Sequence, residues 1–357
     1  MKKEIFIIDD SALMRRVLSD IIELDDRFKV FGVAINGLDA LSVMQRDSDK
    51  IDAILLDINM PRMNGMEFLK ELKEQNIQTT IIIVSSIAQA EANETILALE
   101  LGAFDFVRKP ESFYKVKSKV FASKILDTLS AALKLKDKSK ADANSDRDKK
   151  YTSTKKHTKL KALSSKKLVV IACSTGGPKA LNLLIPKLPR ELDASVLIVQ
   201  HMPEGFTKSL ADRLNDISIL RVKEAEDNEV IEPGTVYIAK GGYQLRLYKK
   251  NTGKHYLSVN KEAPRHGLLP CADILYESLL NVDFDEIICV VMTGMGGDGT
   301  EGIRQLREKK NTYVIAQNEE TCVVYGMPKV IKDAGLVDEE TALGDIANAI
   351  INNVGVH

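Results

Sequence analysis

Hydrophobic residues along the chain form short apolar runs that alternate with stretches of helical periodicity. In the first third of the sequence the predicted strands are Ile5–Ile8, Val30–Ala34, Ala53–Leu56, Thr80–Val84 and Phe104–Val107. Helical stretches such as Ala12–Glu23 and Glu91–Leu101 lie between these runs. Five consecutive strand–helix units of this length predict an α/β fold with a doubly wound parallel sheet.

A second set of apolar runs begins at Leu168. The run Leu168–Cys173 ends in Ser174 and a Thr-Gly-Gly-Pro turn, after which a helical pattern begins. The runs Ala194–Gln200 and Glu286–Met292 follow, and the helix Thr300–Lys309 is predicted after the last of them. Runs that are apolar throughout are typical of strands buried on both faces. The chain therefore predicts two doubly wound parallel-sheet domains.

The segment between the two sets has no apolar periodicity. Residues 134–167 contain 13 Lys and Arg against 4 Asp and Glu, a local charge of +9. We therefore predict a basic flexible linker at 134–167, between a first domain at 1–133 and a second at 168–357. A basic segment can also bind nucleic acid. Tyr151 is its one aromatic residue and no helix-turn-helix pattern is nearby, so we expect no nucleic-acid partner.

Composition narrows the class of protein further. The 357 residues are 44% hydrophobic and 28% charged, which is ordinary for a globular chain, and no apolar run approaches the length of a membrane helix. The N-terminus has no signal-peptide pattern. The four cysteines are widely spaced and form no CxxC pair, which argues against a zinc site or a disulfide framework. We expect a monomeric, cytoplasmic protein without membrane insertion.

Polar side chains follow the predicted strands of the first domain. They are Asp9, Asp10, Asp57, Ser85 and Lys109. Three carboxylates at one sheet edge repel each other unless a hard cation shares them, which suggests Mg²⁺. Asp57 is a plausible nucleophile toward a phosphoryl group, with Lys109 and Ser85 in support. A lone Asp is more often a helix cap, but five such residues at four strand ends argue against that alternative.

These residues resemble the receiver domain of two-component response regulators. The matching motifs are Asp9-Asp10-Ser11, Asp57-Ile58-Asn59-Met60-Pro61, Val84-Ser85-Ser86 and Lys109-Pro110. The resemblance implies that a histidine kinase phosphorylates Asp57. It also implies Mg²⁺ held by Asp10, Asp57 and the carbonyl of Asn59, with Asp9 in support, and a cis Lys109-Pro110 peptide.

Three strand ends of the second domain carry Ser174, His201 and Asp298. The turn after Leu168–Cys173 is a relative of the nucleophile elbow, although a tight or phosphate-binding turn is an equal alternative from that segment alone. His201 can serve as a base toward Ser174, and Asp298 can orient the imidazole. Backbone N–H groups near Met295 are candidate oxyanion donors.

Alternatives exist for each member of this set. His266 competes with His201 because its loop could also line the site, and Cys173 competes with Ser174 as the nucleophile. Strand alternation, however, directs Cys173 away from Ser174. Asp298 could instead be a carboxylate that stabilises a helix N-terminus.

Together these motifs resemble the chemotaxis protein-glutamate methylesterases (CheB). The matching segments are Ser174-Thr175-Gly176-Gly177, Gln200–Thr207, Glu224–Asp227, Thr293–Gly299 and Cys322–Pro328. The resemblance implies a Ser174, His201, Asp298 triad, with Thr175 and Met295 at the oxyanion and no cofactor in this domain. It implies hydrolysis of γ-glutamyl methyl esters and deamidation of glutamines on chemoreceptors, restrained by the receiver until a chemotaxis histidine kinase phosphorylates Asp57. The alternatives are an esterase or amidase for another substrate and a non-catalytic regulator.

Overall fold

The computed structural model describes residues 2–86, 89–110, 119–134 and 166–355, which form two compact units. The predicted linker, 134–167, lies almost entirely outside the described residues. At its C-terminal end, Lys167 already belongs to a strand of the second unit. The linker and the boundaries of the two domains therefore stay predictions.

The first unit contains a five-stranded parallel sheet in the order β2-β1-β3-β4-β5. Its strands are β1 Lys3–Ile8, β2 Phe28–Ala34, β3 Ala53–Leu56, β4 Thr80–Ser85 and β5 Asp105–Arg108. Its helices are α1 Ala12–Glu23, α2 Gly37–Asp47, α3 Gly65–Glu74, α4 Gln89–Leu101 and α5 Lys119–Ala132. The five predicted strands are present, and their ends differ from the predicted ones by no more than one or two residues.

The second unit contains a seven-stranded sheet in the order β14-β13-β12-β6-β7-β9-β8, and every strand pair in it is parallel. The strands are β6 Lys167–Cys173, β7 Ala194–Gln200, β8 Arg221–Glu224, β9 Thr235–Ile238, β12 Glu286–Val291, β13 Thr312–Gln317 and β14 Glu339–Thr341. A separate antiparallel hairpin consists of β10 Gln244–Lys249 and β11 His255–Asn260.

Helices connect the strands of this sheet. They are α6 Gly177–Leu184, α7 Phe206–Ile217, α8 Ala272–Ser278, α9 Thr300–Lys309, α10 Met327–Asp333 and α11 Ile346–Val354. None of the described helices is long and apolar enough to cross a membrane. The predicted fold class, two parallel-sheet α/β domains, is confirmed.

The centre of the second sheet explains how its polar residues come together. Strands β12, β6 and β7 are neighbours, and they are almost completely buried, as their apolar sequences predict. Val291 pairs with Ala172, and Cys173 pairs with Gln200, so the three strands end side by side. The residues that follow them therefore lie along one edge of the sheet.

Candidate functional site

At the carboxyl edge of the first sheet, one lysine joins two buried aspartates. Lys109 Nζ lies 2.8 Å from Asp9 Oδ2 and 2.7 Å from Asp57 Oδ2. The other oxygen of Asp57 accepts the Ile58 N–H at 2.9 Å, and that of Asp9 accepts the Ser11 N–H at 2.9 Å. The three groups therefore form a compact ionic cluster at the ends of β1, β3 and β5.

Burial and the neighbouring charges shift the pKa values of Asp57 and Lys109 in this cluster. Desolvation raises the pKa of Asp57 to about 6, and the nearby Asp9 adds to the rise, although Lys109 opposes both. Desolvation alone would lower the pKa of Lys109, but Asp57 and Asp9 more than compensate, so its pKa is raised. Ionising the buried Asp57 carboxyl at neutral pH therefore costs folding free energy.

Replacing Asp57 by asparagine is expected to stabilise the first unit at pH 7.5. Because the pKa of Asp57 lies above its ordinary value of 3.8, ionisation costs folding free energy in full above pH 6 and nothing below about pH 4. The shift corresponds to a gain of at most about 3 kcal/mol, and this value already includes the attraction between Asp57 and Lys109. Hydrogen exchange of the β1 and β3 amides at pH 7.5 and pH 4.5 measures the gain, which should be markedly smaller at the lower pH. A gain that is equal at both pH values would contradict this explanation.

The remaining predicted residues of this edge differ in their surroundings. Asp10 is exposed, and one of its carboxylate oxygens lies within 4.8 Å of oxygens of Asp9 and Asp57. Asn59, two residues after Asp57, is also exposed. Ser85 is fully buried, and its hydroxyl accepts a hydrogen bond from Thr95 at 2.9 Å. Three carboxylates against the single charge of Lys109 leave a negative cluster, and this donor set fits a divalent cation that binds oxygen ligands.

One expectation for this edge is wrong. The peptide between Lys109 and Pro110 is not cis, since the one cis peptide among the described residues is Leu269-Pro270. Lys109 nevertheless reaches both aspartates, because its backbone follows β5 directly and its N–H is bonded to the Ser85 carbonyl at 2.7 Å. Its inward direction therefore comes from strand pairing.

In the second unit, Ser174 follows β6 at a tight turn held by the two adjacent strands. Its N–H donates to the Thr293 carbonyl at 3.0 Å, and its carbonyl accepts from the Gln200 side chain at 3.0 Å. Gly176 adopts a left-handed φ of 78°, which ends the strand and lets α6 begin. Gly294 packs so closely that a Cβ there would lie 2.7 Å from Ser174 Cβ. The backbone around this serine is thus fixed on both sides.

His201, which is partly buried, and Asp298, which is buried, form a hydrogen-bonded pair beside that turn. His201 follows β7 directly, and its Nε2 lies 2.7 Å from Asp298 Oδ2. Burial favours the neutral acid, but His201 and the N–H of Ala272 more than offset it, so the pKa of Asp298 is held below its ordinary value. Asp298 therefore remains a carboxylate at neutral pH and can orient the imidazole.

Ser174 and His201 are brought to the same edge without a hydrogen bond between them in the parts of the chain that the structure describes. The His201 N–H donates to the Cys173 carbonyl at 3.2 Å, so the two residues follow neighbouring, paired strand ends. Because Nε2 is bonded to Asp298, Nδ1 is the nitrogen left for the serine proton. The hydrogen bond between a catalytic nucleophile and its base is often long without substrate and becomes shorter when substrate binds.

Both predicted oxyanion residues are connected to Ser174: Thr175 follows it in the chain, and Met295 follows Gly294, which packs against it. Thr175 is 2% exposed, its carbonyl accepts the Thr293 hydroxyl at 2.9 Å, and its own hydroxyl has no partner among the described residues. Met295 is half-buried and follows Gly294, the residue packed against Ser174. The Gly294 carbonyl accepts the N–H of Met327 at 2.8 Å, which fixes this loop.

The structure also bears on the alternatives. Cys173 is completely buried, and burial raises the pKa of its thiol far above the ordinary value, which disfavours it as a nucleophile. His266 is exposed on a short turn between Arg265 and Leu268. Asp298 does accept backbone N–H groups at a helix start, that of α8, in addition to its hydrogen bond with His201.

Sequence reasoning missed several polar residues of this edge. Gln200 and Gln317 are almost completely buried at the ends of β7 and β13. The Gln200 side chain donates to the Ser174 carbonyl, and the Gln317 side chain accepts the Thr293 N–H and donates to the Thr321 carbonyl. A buried amide at a strand end was a usable signal for both. Cys271, whose thiol donates to Asp298 at 3.0 Å, gave no such signal because 27 residues separate the pair.

Comparison with known proteins agrees with this geometry. Residues 5–121 match the family model described as response regulator receiver domain, and residues 169–350 match that described as CheB methylesterase. A protein-glutamate methylesterase/protein-glutamine glutaminase of Halalkalibacterium halodurans is 42% identical over 98% of this chain and 97% of its own length. The protein of the same name from Bacillus subtilis is 40% identical, with 98% of each chain covered. The crystal structure of the Thermotoga maritima CheB methylesterase catalytic domain covers 54% of this chain and all of its own, with 42% identity and a TM-score of 0.51.

The two parallel-sheet units and these matches define a response regulator whose second unit is a hydrolase. The chain belongs to the CheB methylesterase family, with a receiver domain at its N-terminus. The family assigned from the motifs is confirmed, and with it the place of the protein in two-component chemotaxis signalling.

Proposed function

We propose that this chain hydrolyses γ-glutamyl methyl esters and deamidates glutamine side chains on chemoreceptors, and that phosphorylation of Asp57 raises this activity. The observation that carries the proposal is the convergence of Ser174 with the His201–Asp298 pair at the ends of three adjacent strands. The names of the relatives, each of which matches 98% of this chain, supply the substrate class.

Each side chain of the second site has a chemical role in acyl transfer. Ser174 Oγ attacks the ester carbonyl carbon while His201 Nδ1 takes the hydroxyl proton, and the Asp298 carboxylate stabilises the resulting imidazolium. The imidazolium then protonates the departing methoxide, and methanol leaves. Water, activated by the same imidazole, hydrolyses the acyl-enzyme to a glutamate carboxylate. With a glutamine substrate, ammonia leaves in place of methanol.

The negative charge that develops on the carbonyl oxygen requires hydrogen-bond donors. The buried Thr175 hydroxyl, which has no hydrogen-bond partner among the described residues, and the backbone N–H of Met295 are the groups we assign to this task. The fixed loops on both sides of Ser174 support the assignment, because donors that are already held need no reorganisation when the charge appears.

The edge of the first unit would accept the phosphoryl group. Asp57 accepts the phosphoryl group. The ammonium of Lys109 neutralises the charge of the phosphoryl oxygens, and the Ser85 hydroxyl donates a hydrogen bond to one of them. Asp10, Asp57 and the Asn59 carbonyl, with Asp9 in support, would hold Mg²⁺, which when bound neutralises charge on the entering phosphate. The excess of carboxylate over ammonium in the cluster supports this set of ligands.

Release of methanol from methylated chemoreceptor membranes tests the proposal directly. The purified full-length chain is expected to release methanol from membranes whose receptors carry methyl esters, and ammonia from receptors with glutamine at the same positions. Receptors with aspartate at those positions serve as the blank. Release from a small methyl ester without release from receptors would favour an esterase for another substrate. No release from either would favour a regulator without catalysis.

A further inference from the structure

The Asp298 carboxylate accepts three hydrogen bonds besides the one with His201. Oδ2 accepts the N–H of Ala272 at 2.6 Å in addition to its bond with His201. Oδ1 accepts the thiol of Cys271 at 3.0 Å and the N–H of Asp273 at 3.0 Å. All three of these additional donors belong to the segment that begins α8, so this segment determines the plane of the carboxylate.

A carboxylate of the same segment accepts a hydrogen bond from α9, the helix that follows Asp298. Asp273 is 7% exposed, and its Oδ1 accepts the N–H of Gly302, in the first turn of α9, at 2.7 Å. Gly302 makes this approach possible, because a Cβ there would lie 2.7 Å from Tyr276 Cβ. The connection between the two helix starts is therefore reciprocal. Asp298, which precedes α9, accepts N–H groups of α8, and Asp273 of α8 accepts an N–H group of α9.

We infer that Cys271 and Asp273 are positioning residues for Asp298, which hold its carboxylate in the plane that directs Oδ2 toward His201. The inference rests on the proposed triad and adds residues that neither the motifs nor the strand ends indicate. A purely structural joint between α8 and α9 would not need two buried carboxylates in one cluster, because like charges there repel each other. Burial and the nearby Asp298 raise the pKa of Asp273 to about 6, so keeping Asp273 ionised beside Asp298 at neutral pH costs folding free energy.

The role of Asp273 is tested by the rate at which a fluorophosphonate labels Ser174 in the full-length chain. This reaction needs the activated hydroxyl but no receptor. Asp273→Ala is expected to slow labelling about tenfold, because the start of α9 loses its acceptor and Asp298 loses its orientation. Asp273→Asn keeps an oxygen that can accept the Gly302 N–H and should restore most of the rate. Ser278→Ala is the control, since Ser278 accepts the Leu247 N–H at 3.0 Å from the other end of α8.

Proton NMR of the His201–Asp298 hydrogen bond gives a readout that general loss of stability would not move. In Asp273→Ala the far-downfield resonance of this bond is expected to shift or disappear, while Asp273→Asn and Ser278→Ala retain it. If Asp273→Ala does not fold, the pair Cys271→Ala and Cys271→Ser carries the test. Removing the thiol donor should slow labelling about threefold and shift the resonance, and serine should restore both.

Two results would overturn the inference. One is labelling at the wild-type rate, with an unchanged resonance, in Asp273→Ala or in Cys271→Ala. The other is a loss in Ser278→Ala as large as that in Asp273→Ala, which would mean that any damage to α8 suffices. If the wild type is labelled at Ser174 but releases no methanol from receptors, the proposed substrate is wrong while the positioning role stands.

Discussion

Replacing Ser174 by alanine is expected to lower methanol release from methylated receptors by about 10⁴-fold or more. The turn holds the serine backbone through Thr293 and Gln200, and these bonds do not involve the hydroxyl. Alanine should therefore fit without disturbing the fold. What is lost is the nucleophile, for which the completely buried Cys173 cannot substitute.

A matched control separates chemistry from packing in this experiment. Ser195 is also a buried serine, 4% exposed, on the neighbouring strand β7, but it pairs with Leu168 at the far end of the sheet from Ser174. Ser195→Ala should release methanol at a rate close to that of the wild type. Retention of more than about a tenth of the activity by Ser174→Ala would show that Ser174 is not the nucleophile.

Much of the fold and of both candidate sites could be predicted because apolar runs and parallel sheets constrain each other. A parallel strand buried on both faces is recognisable as a continuous apolar run, and the residue after it must lie at the carboxyl edge. That logic predicts the places of Asp57, Ser174 and His201 from the sequence alone. It needs only local sequence and the rule that neighbouring strands end together.

Contacts that join segments distant in sequence could not be predicted in this way. The bonds from Cys271 and Asp273 to Asp298 depend on how α8 packs against α9, and no pattern within either segment encodes that packing. Gln200 lies at a predicted strand end and Gln317 at the end of a strand that was not predicted, and an amide at such a place has many possible partners. The resemblance to receiver domains implies that a cis peptide directs Lys109 inward, whereas its direction follows from the pairing of β5 with β4.

Coupling between the two units is the second large effect that we expect. A small phosphodonor with Mg²⁺ should raise methanol release by the wild type about 10- to 100-fold, the range typical of regulatory coupling energies. Asp57→Asn should show no increase, because its side chain cannot accept the phosphoryl group. Lys109 would still lie beside it, so the fold of the first unit should persist. Methanol release with and without the phosphodonor measures the effect.

Two comparisons make this expectation specific to Asp57. Asp20→Asn removes an exposed carboxylate from α1 and should respond to the phosphodonor like the wild type. Removing Mg²⁺ with a chelator should abolish the increase in the wild type while leaving unstimulated release, because the proposed ligands of the cation all lie at the edge of the first unit. Stimulation that persists in Asp57→Asn would mean that phosphorylation acts elsewhere or not at all. Equal, unstimulated release from the wild type and Asp57→Asn would keep the esterase and remove the proposed regulation.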